Sequence, residues 1–454
     1  MSKKQSRKEF LQKGAAVAAG LIVMPHIIPA SARGKGGKVA PSDRIVMGGI
    51  GLNSMGHGDM GQFLPMNTVQ YVAICDVDRS VRERVTGDIN KHYGNQDARS
   101  YNDFREFLEK EKLDAVNIAL PDHWHAIPTV MAAQKGINIF GQKPLARSIK
   151  ESRAIVDAAA KYDIVWQTGC QQRSEWQFLQ ACNIVKNGLL GKINSIEVGL
   201  PNGGDSKGQP EVQPVPDGVD WDMWLGPAPK VPYRGILHWN WRWMLDYSGG
   251  QLTDWAGHHI DIALWAAGLS ETGPVEIEAE GEYLKNDIFN VPISYDIHTK
   301  FANGMPMRVA NEGRLADHAR KFNRKRDDGT VRADHNGTAF YGDKGWLYVE
   351  RGGIWAEDPK VLDVKFAPAD QIYDTLGMSH YQNFIDCIRT GRKTIAPAEE
   401  GHRAISVALL GEIAMTVGQK LSWDPQKEVF NGVAPDATNM LMKPYRDPWK
   451  LPKI

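Results

Sequence analysis

The chain has 454 residues, with 54 Lys and Arg against 54 Asp and Glu, so its formal net charge is zero. This balance gives no electrostatic case for binding nucleic acid or an anionic membrane surface, and the length predicts two or three domains. The four cysteines form no CxxC pair, which indicates separate free thiols rather than a zinc site, although a disulfide remains an alternative.

Residues 1–32 have the organisation of an export signal. A basic region at 3–8 precedes an apolar run at 14–24 that is too short to span a bilayer, and 30–32 is a small-residue cleavage signal. Residues 6–11 resemble the twin-arginine motif with Lys in place of the second Arg, so Sec export is the alternative. We expect an exported, periplasmic protein with no membrane segment after signal removal. Because a periplasm has no free dinucleotide pool, a cofactor protein working there should be exported folded and loaded.

Strand and helix patterns alternate from residue 43 to 166, after a polar, glycine-rich linker at 33–42. The strand candidates are 113–120, 137–140 and 164–166, and the helix candidates between them are 126–134 and 149–161. This alternation predicts an α/β fold whose N-terminal domain, residues 43–166, is a doubly wound parallel Rossmann sheet.

A glycine turn follows the first predicted strand. A helical pattern comes next, and the strand at 69–75 ends at Asp76, 20 residues beyond Gly56. Dinucleotide sites use this order, because the turn admits the pyrophosphate, the helix N-terminus donates to it, and the acid accepts from the adenosine ribose. Asn53 replaces the second glycine of the fingerprint and crowds the turn, so a turn that binds nothing is the alternative. The predicted cofactor residues here are Gly51, Asn53, Ser54, Met55, Gly56 and Asp76.

Three further segments follow predicted parallel strands. Because ligands bind beyond the carboxyl ends of such strands, residues 121–125, 142–144 and 167–173 should gather round one crevice. Lys143 in that crevice can hydrogen-bond a hydroxyl that is becoming a carbonyl and relay its proton. A surface lysine at a strand end is the alternative interpretation.

After residue 173 the pattern changes to longer strands. They are predicted at 193–199, 275–284, 295–302, 305–312 and 339–349. Asn303-Gly304 is a two-residue hairpin signal. Residues 381–419 have a helical pattern, and 421–454 is predicted as an extended closing segment. This predicts a C-terminal α/β domain, residues 167–454, with a large, mostly antiparallel open sheet.

The segment 249–268 contains acids and a histidine at helical spacing. Asp254, His258 and Asp261 fall at i, i+4 and i+7, which predicts that they share one helix face. An imidazole beside a carboxylate is held in one tautomer and can accept the proton of a secondary alcohol. Two alternatives remain open: a metal site, although no further ligand cluster supports it, and a polar helix face with no catalytic role.

Seven of the 14 tryptophans, including Trp241, lie between residues 221 and 265. Aromatic faces stack on sugar rings, so this concentration suits a carbohydrate pocket. The alternative is a tryptophan-rich core and dimer surface.

Together, these motifs resemble the glucose–fructose oxidoreductase / inositol dehydrogenase / MocA (Gfo/Idh/MocA) family, in its exported bacterial branch. The resemblance covers nearly the whole chain and depends on the order and spacing of the motifs. They are the export signal and the segments 121–125, 142–145, 167–174, 254–261, 340–346, 423–425 and 445–449.

The resemblance implies a Rossmann domain, a C-terminal α/β domain and bound NAD, with NADP less favoured because no arginine directly follows Asp76. It implies oxidation or reduction of a sugar, polyol or glycoside by a homo-oligomer, a dimer or tetramer, without a metal. Matched by position, the catalytic residues are Lys143, Asp254 and His258, and His125 lies near the nicotinamide. Further cofactor residues are Pro121, His125, Gln142 and Lys143. The substrate residues are His125, Lys143, Gln171, Arg173, Trp241 and His258.

Two departures from the family pattern leave the function open. Gln142 replaces the glutamate of the E-K-P motif beside Lys143, and Asn53 replaces a glycine. The leading hypothesis is an exported NAD-dependent oxidoreductase. The alternatives are an NAD-dependent glycoside hydrolase or lyase acting through a transient 3-keto-sugar, and a non-catalytic sugar-binding homologue.

Overall fold

The computed structural model describes residues 40, 43–235, 238–315, 320–322, 324, 335–374, 379–432 and 434–454. The predicted export signal at 1–32, and the linker except Ala40, lie outside the described residues. In the unit Met1–Arg44, the Asp43 amide donates to the carbonyl oxygen of Ala40 at 2.9 Å. The second unit, Ile45–Ile454, contains both sheets described below. Among the described residues, no helix has the length and apolarity needed to cross a membrane.

The first sheet of the described chain is parallel and six-stranded, with strand order β3-β2-β1-β4-β5-β6. Its strands are β1 (Ile45–Ile50), β2 (Val69–Cys75), β3 (Arg99–Tyr101), β4 (Ala115–Ile118), β5 (Asn138–Gly141) and β6 (Trp166–Thr168). The helices between them are α1 (Met55–Phe63), α2 (Arg79–Tyr93), α3 (Phe104–Lys110), α4 (Ala126–Gln134) and α5 (Ile149–Lys161). The predicted Rossmann sheet is confirmed, and α4 and α5 have the predicted bounds. The strand order reverses between β1 and β4, where such sheets bind ligands.

Local sequence signals set the helix ends of this sheet. The side chain of Asp78 accepts a hydrogen bond from the Ser80 amide at 2.8 Å and caps the N-terminus of α2. Gly94 ends α2 with a φ of 68°, the left-handed conformation that favours glycine. These caps fix α2 directly behind the tip of β2, where Asp76 lies.

The second sheet has nine strands within the described residues, in the order β13-β12-β11-β7-β10-β9-β8-β14-β15. The strands are β7 (Ile193–Leu200), β8 (Pro274–Tyr283), β9 (Pro292–Phe301), β10 (Pro306–Asn311), β11 (Gly337–Gly342), β12 (Gly345–Glu350), β13 (Gly353–Ala356), β14 (Leu421–Asp424) and β15 (Val429–Phe430). Every neighbouring pair is antiparallel except β7 and β10, so the predicted mostly antiparallel sheet is confirmed.

Two strand predictions have different outcomes. The Asn303-Gly304 hairpin is confirmed between β9 and β10, and Gly304 has a φ of 84°. The single strand predicted at 339–349 is wrong, because the chain turns at 343–344 and returns as β12. Gly345 has a φ of 122° there, a conformation that side-chain-bearing residues rarely adopt.

The remaining α-helices of the described residues are α6 (Trp176–Lys186), α7 (Trp221–Leu225), α8 (Gly250–Trp255), α9 (Asp261–Ala266), α10 (His380–Thr390), α11 (Ala398–Val417) and α12 (Pro435–Asn439). Of these, α6 connects the two sheets, and the others lie between strands of the second sheet or after its last strand. The pattern at 381–419 is two helices rather than one, because α10 ends at Gly391 and α11 begins after Pro397. The segment 421–454 is not wholly extended, since it contains β14, β15 and α12.

One hydrophobic cluster includes residues of both sheets, such as Val116 and Ile139 of the first and Ile297 and Val309 of the second. The α11 helix is buried along almost its whole length within it. An added Cβ at Gly411 would lie 2.4 Å from Ile297 Cδ1, so a glycine is needed for the close approach of α11 to β9. The four cysteines are buried and free.

Candidate active site

A cavity of about 500 Å³ lies at the carboxyl ends of the parallel strands. The glycine turn and Asp76 line one part of it. Lys143, Asp254 and His258 line another, so the structure brings together residues more than 100 positions apart. This cavity is where the sequence placed the crevice.

The glycine turn is closed tightly enough to form a cradle. An added Cβ at Gly56 would lie 1.9 Å from the carbonyl oxygen of Gly51, and Gly51 itself has a φ of 77°. Only glycine fits both positions. Asn53, Ser54 and Met55 line the cavity beside Gly51. The turn therefore brings backbone to the cavity wall at the start of α1, as a pyrophosphate site requires.

Asp76 is held at the tip of β2 by backbone amides. Its Oδ2 accepts from Leu52 N at 2.8 Å and its Oδ1 accepts from Asp78 N at 3.0 Å. Burial raises the pKa of Asp76, and the two amide hydrogen bonds oppose that rise. A fixed acid on the cavity wall beyond β2 matches the ribose-binding acid of a dinucleotide site, so the residues present fit NAD.

Lys143 and Asp254 form the central ion pair of the cavity. Lys143 Nζ donates to Asp254 Oδ1 at 2.7 Å, and Arg242 Nε lies 3.2 Å from the same oxygen. Burial alone would raise the pKa of Asp254, but the charges of Lys143 and Arg242 outweigh it and lower that pKa. Asp254 is therefore an ionised carboxylate that fixes the ammonium group.

Gly257 allows Lys143 to reach this position. An added Cβ at Gly257 would lie 2.8 Å from Lys143 Cβ, closer than such atoms approach. A glycine in the helical segment therefore leaves room for the lysine stem to cross it.

His258 lies on the cavity, but Asp254 does not orient it as predicted. The carboxylate of Asp254 pairs with Lys143 and Arg242, and His258 Nδ1 is buried without a hydrogen-bond partner among the described residues. Burial lowers the pKa of His258 well below 6.5, and the charges of Lys143 and Arg351 lower it further. His258 is thus a neutral imidazole, which is the form that can accept a proton.

The prediction that Asp261 shares a face with Asp254 and His258 is wrong. A π-helical turn, Ala256–Ile260, separates α8 from α9. Because such a turn is wider than an α-helical turn, it rotates the residues that follow it. Asp261 consequently accepts from Arg173 Nε at 2.6 Å and from Arg173 Nη2 at 2.7 Å.

Three of the predicted substrate residues do not line the cavity. Arg173 is fully buried and pairs with Asp261 and Glu400. Gln171 Nε2 donates to the hydroxyl of Tyr381 at 3.3 Å. These contacts hold the carboxyl-end loop of β6 in place, so Gln171 and Arg173 have structural partners where substrate contacts were predicted.

His125 is the third predicted substrate residue that does not line the cavity. Its Nδ1 lies 2.7 Å from the carbonyl oxygen of Pro144, and its Nε2 lies 2.7 Å from that of Leu120. Both ring nitrogens lie against the backbone, so His125 connects the segments that follow β4 and β5.

The other predicted residues, Pro121, Gln142 and Trp241, do line the cavity. Trp255, one of the seven tryptophans proposed for a carbohydrate pocket, also lines it, whereas sequence reasoning missed Arg242 and Arg351. Arg242 could have been found, since it belongs to the tryptophan-rich run beside Trp241. Arg351 gave no signal, because it follows β12 far along the chain.

Comparisons with known proteins agree with this geometry. Residues 44–170 match the family described as oxidoreductase family, NAD-binding Rossmann fold, and residues 178–338 and 359–451 match its C-terminal alpha/beta domain. An alpha-N-acetylgalactosaminidase of Shewanella oneidensis is 29% identical over 205 residues. That match covers 41% of this chain and 44% of the relative, so it spans less than half of either protein.

Two solved structures share the fold. The WlbA dehydrogenase of Bordetella pertussis, in complex with NADH and UDP-GlcNAcA, has a TM-score of 0.58 at 16% identity, covering 84% of this chain and 99% of that one. An aldose-aldose oxidoreductase of Caulobacter crescentus, complexed with glycerol, has a TM-score of 0.56 at 17% identity. The match covers 84% of this chain and 99% of the Caulobacter chain.

Proposed function

The chain belongs to the Gfo/Idh/MocA family of oxidoreductases, with an NAD-binding Rossmann domain, and we propose that it transfers hydride between tightly bound NAD and a sugar or glycoside. The reacting group is a ring hydroxyl or the corresponding ketone. The observation that carries this proposal is that Lys143, Asp254 and His258 share one cavity with the glycine turn and Asp76.

In this proposal the side chains of the cavity handle the proton and the developing charge. Lys143 donates a hydrogen bond to the substrate oxygen, and Asp254 holds its ammonium group in position. His258 accepts the hydroxyl proton at Nε2, since Nδ1 is buried. Bound NAD supplies the hydride acceptor. Fixing the position of the reacting carbon in this cavity would supply much of the acceleration.

Aromatic walls support a sugar as the substrate class. Trp224, Trp241 and Trp255 line the cavity, and indole faces stack on the apolar faces of sugar rings. The names of the Bordetella and Caulobacter proteins, which refer to a sugar nucleotide and to aldoses, agree with this proposal. From residues 1–32 we further propose export to the periplasm, with the cofactor loaded before export. From the family resemblance we propose a homo-oligomeric assembly.

A second candidate is favoured by the names of the relatives. The Shewanella protein is an alpha-N-acetylgalactosaminidase, and further relatives are glycosyl hydrolase family 109 proteins. A hydrolase using NAD would oxidise the sugar to a ketone, expel the aglycone by elimination, add water across the double bond so formed, and return the hydride to the ketone. The same base and lysine would serve both reactions. A free aglycone formed without an external redox partner favours hydrolysis, whereas an accumulating keto-sugar favours net oxidation.

The first experiment is mass spectrometry of the dinucleotide released when purified protein is denatured. We expect NAD or NADH at close to one molecule per chain. A site that is empty after purification and that millimolar NAD does not fill would overturn the proposal. It would instead favour the non-catalytic sugar-binding alternative.

A further inference from the structure

The end of the cavity that contains His258 carries an excess of positive charge. Lys143, Arg242 and Arg351 all line it. Asp254 lies 2.7 Å from Lys143 Nζ and 3.2 Å from Arg242 Nε, so one carboxylate faces two of these cations. The phosphates of NAD belong at the glycine turn by the fold's binding rule, so they do not account for the cations here.

One further acid lines this end of the cavity. Asp122 Oδ2 accepts from the hydroxyl of Ser248 at 2.6 Å. Burial raises the pKa of Asp122, which favours its neutral form relative to an ordinary aspartate. Asp122 therefore neutralises less of the positive charge of Lys143, Arg242 and Arg351 than an exposed carboxylate would.

Arg351 differs from the other two cations because no ion pair forms with it among the described residues. It is exposed, in the turn between β12 and β13, and its carbonyl oxygen accepts from Gln177 Nε2 at 3.1 Å. Burial raises the pKa of Glu175 and the charge of Arg351 opposes that rise, yet the two side chains are not in ion-pair contact. No carboxylate of the described residues therefore fixes the Arg351 guanidinium by an ion pair.

Trp255 connects Arg351 to the reacting centre. The Arg351 Cζ lies 4.5 Å from the centroid of the Trp255 ring, and that ring lies 5.5 Å from the ring of His258. Stacking on an indole leaves the N–H fork of a guanidinium free to bond in its own plane. A sugar that presents one carbon to His258 and Lys143 would therefore have another substituent within reach of Arg351.

We propose that the substrate carries an anionic group, a carboxylate or a sulfate ester, which binds Arg351 at the edge of the cavity away from the glycine turn. This inference rests on the proposed sugar substrate and names its chemical class. Guanidinium binds both planar carboxylates and sulfate-type oxyanions through paired hydrogen bonds, whereas a neutral hydroxymethyl group gains no charge-assisted bond. Arg351 then acts as a specificity residue and takes no part in proton transfer.

The test is titration calorimetry of the NAD-loaded protein with sugars in matched pairs. The pairs are glucuronate with glucuronamide, galacturonate with galacturonamide, and sulfated glucose and galactose with the unsulfated sugars. We expect the tightest ligand to be anionic and to exceed its neutral partner by about five- to tenfold. The uronate and sulfate arms distinguish the two anionic groups. Preference for a neutral sugar, or no binding of any anionic sugar at millimolar concentration, would overturn the proposal.

Variants assign the preference to one side chain. Arg351→Gln should lower the affinity for the anionic sugar to that for its neutral partner, and Arg351→Lys should keep part of the preference. Arg392→Gln, at an exposed arginine outside the cavity wall, should keep all of it. If Arg351→Gln leaves the preference intact, Arg351 is a solvated surface arginine. Because the readout is binding, anionic preference without turnover would contradict the proposed reaction and leave this inference standing.

Discussion

Gln142 donates through Nε2 to both carboxyl oxygens of Asp59, at 3.1 and 2.8 Å, where both side chains are buried. The hydroxyl of Tyr381 donates to Asp59 Oδ1 at 2.9 Å. Burial raises the pKa of Asp59 to about 7, although the bonds from Gln142 and Tyr381 and the charge of Lys143 lower it. The family pattern has a glutamate beside Lys143, where this chain has Gln142. A carboxyl group is nevertheless present there, because Asp59 of α1 accepts from the Gln142 amide.

Gln142→Glu should destabilise the protein in a pH-dependent way. Two adjacent buried carboxyl groups cannot both ionise, so one must keep its proton. We expect a loss of about 1–3 kcal/mol in the free energy of unfolding near pH 8 and a smaller loss near pH 5, measured by urea unfolding. Because Lys143 is adjacent, the pH–rate profile should also shift.

The compensating change provides the control for this prediction. Asp59→Asn combined with Gln142→Glu restores one acid and one amide, so the double variant should recover most of the stability. The Asp59→Asn variant alone supplies the reference. Equal losses at both pH values, or no recovery in the double variant, would show that the two groups do not share a proton.

The sequence predicted the Rossmann half of the fold well because its signals are local. Short apolar strands alternate with capped helices, and α5 has the predicted bounds, with Ser148 as its N-cap. The glycine turn and Asp76 were predicted for the same reason. They lie in consecutive elements of the chain, a strand, a turn, a helix and a second strand, whose order sets the position of the acid relative to the turn. Short-range patterns were sufficient wherever neighbouring elements along the chain also pack together.

Long-range packing explains what the sequence did not predict around Asp261. An unbroken helical period runs through 250–266, but packing against Lys143 at Gly257 accompanies a π-helical turn that no pattern signals. Arg173 was assigned to the crevice because residues 167–173 follow the carboxyl end of a predicted parallel strand. Its partners, Asp261 and Glu400, come from segments far along the chain, and only the tertiary structure brings them together.

Asp76→Ala should weaken NAD binding without unfolding the protein. The backbone amides of Leu52 and Asp78 donate to the Asp76 carboxylate and fix it on the cavity wall. Loss of charged hydrogen bonds to the ribose hydroxyls should cost about 1–3 kcal/mol of binding free energy. The measurement is the NAD dissociation constant of protein stripped of its cofactor, with Asp76→Asn as the matched variant. Unchanged affinity in both variants would remove Asp76 from the cofactor site.

Glu428 should make the protein sensitive to acid. Burial alone would raise the pKa of Glu428, but hydrogen bonds from His402 and Arg153 outweigh it and lower that pKa to about 2. A carboxyl group with a depressed pKa stabilises the fold above its unfolded pKa, and that stability is lost as pH falls from about 4.5 towards 2. Glu428→Gln should therefore cost about 1–3 kcal/mol at neutral pH and less near pH 3, measured by urea unfolding.

The exposed Glu83 of α2 supplies the control for that measurement. Glu83→Gln should change the unfolding free energy little at either pH. If Glu428→Gln costs the same at neutral and acid pH, the contribution of Glu428 is one of packing and not of charge.

His258→Ala should lower turnover by roughly 10²–10⁴-fold, the usual effect of losing a general base, while NAD remains bound. Of the adjacent His258 and His259, only His258 lies on the cavity wall, and burial lowers its pKa well below 6.5. A base with a depressed pKa stays neutral into mildly acid solution. The acid limb of kcat/KM for the wild-type protein should therefore lie below pH 6.5, the ordinary histidine value. Single-turnover reduction of bound NAD, followed by absorbance, measures the chemical step.

His259→Ala is the matched control within the same helical turn. His259 is fully buried away from the cavity wall, and its Nε2 lies 3.0 Å from Asn336 Oδ1, so its loss should lower stability and keep the pH profile.

Lys143→Ala should slow the chemical step to a similar extent as His258→Ala. Because both residues act on one substrate oxygen, the double variant should lose far less than the product of the single losses. A larger loss of turnover in His259→Ala than in His258→Ala would require a different base, and multiplicative losses would separate Lys143 from the proton transfer.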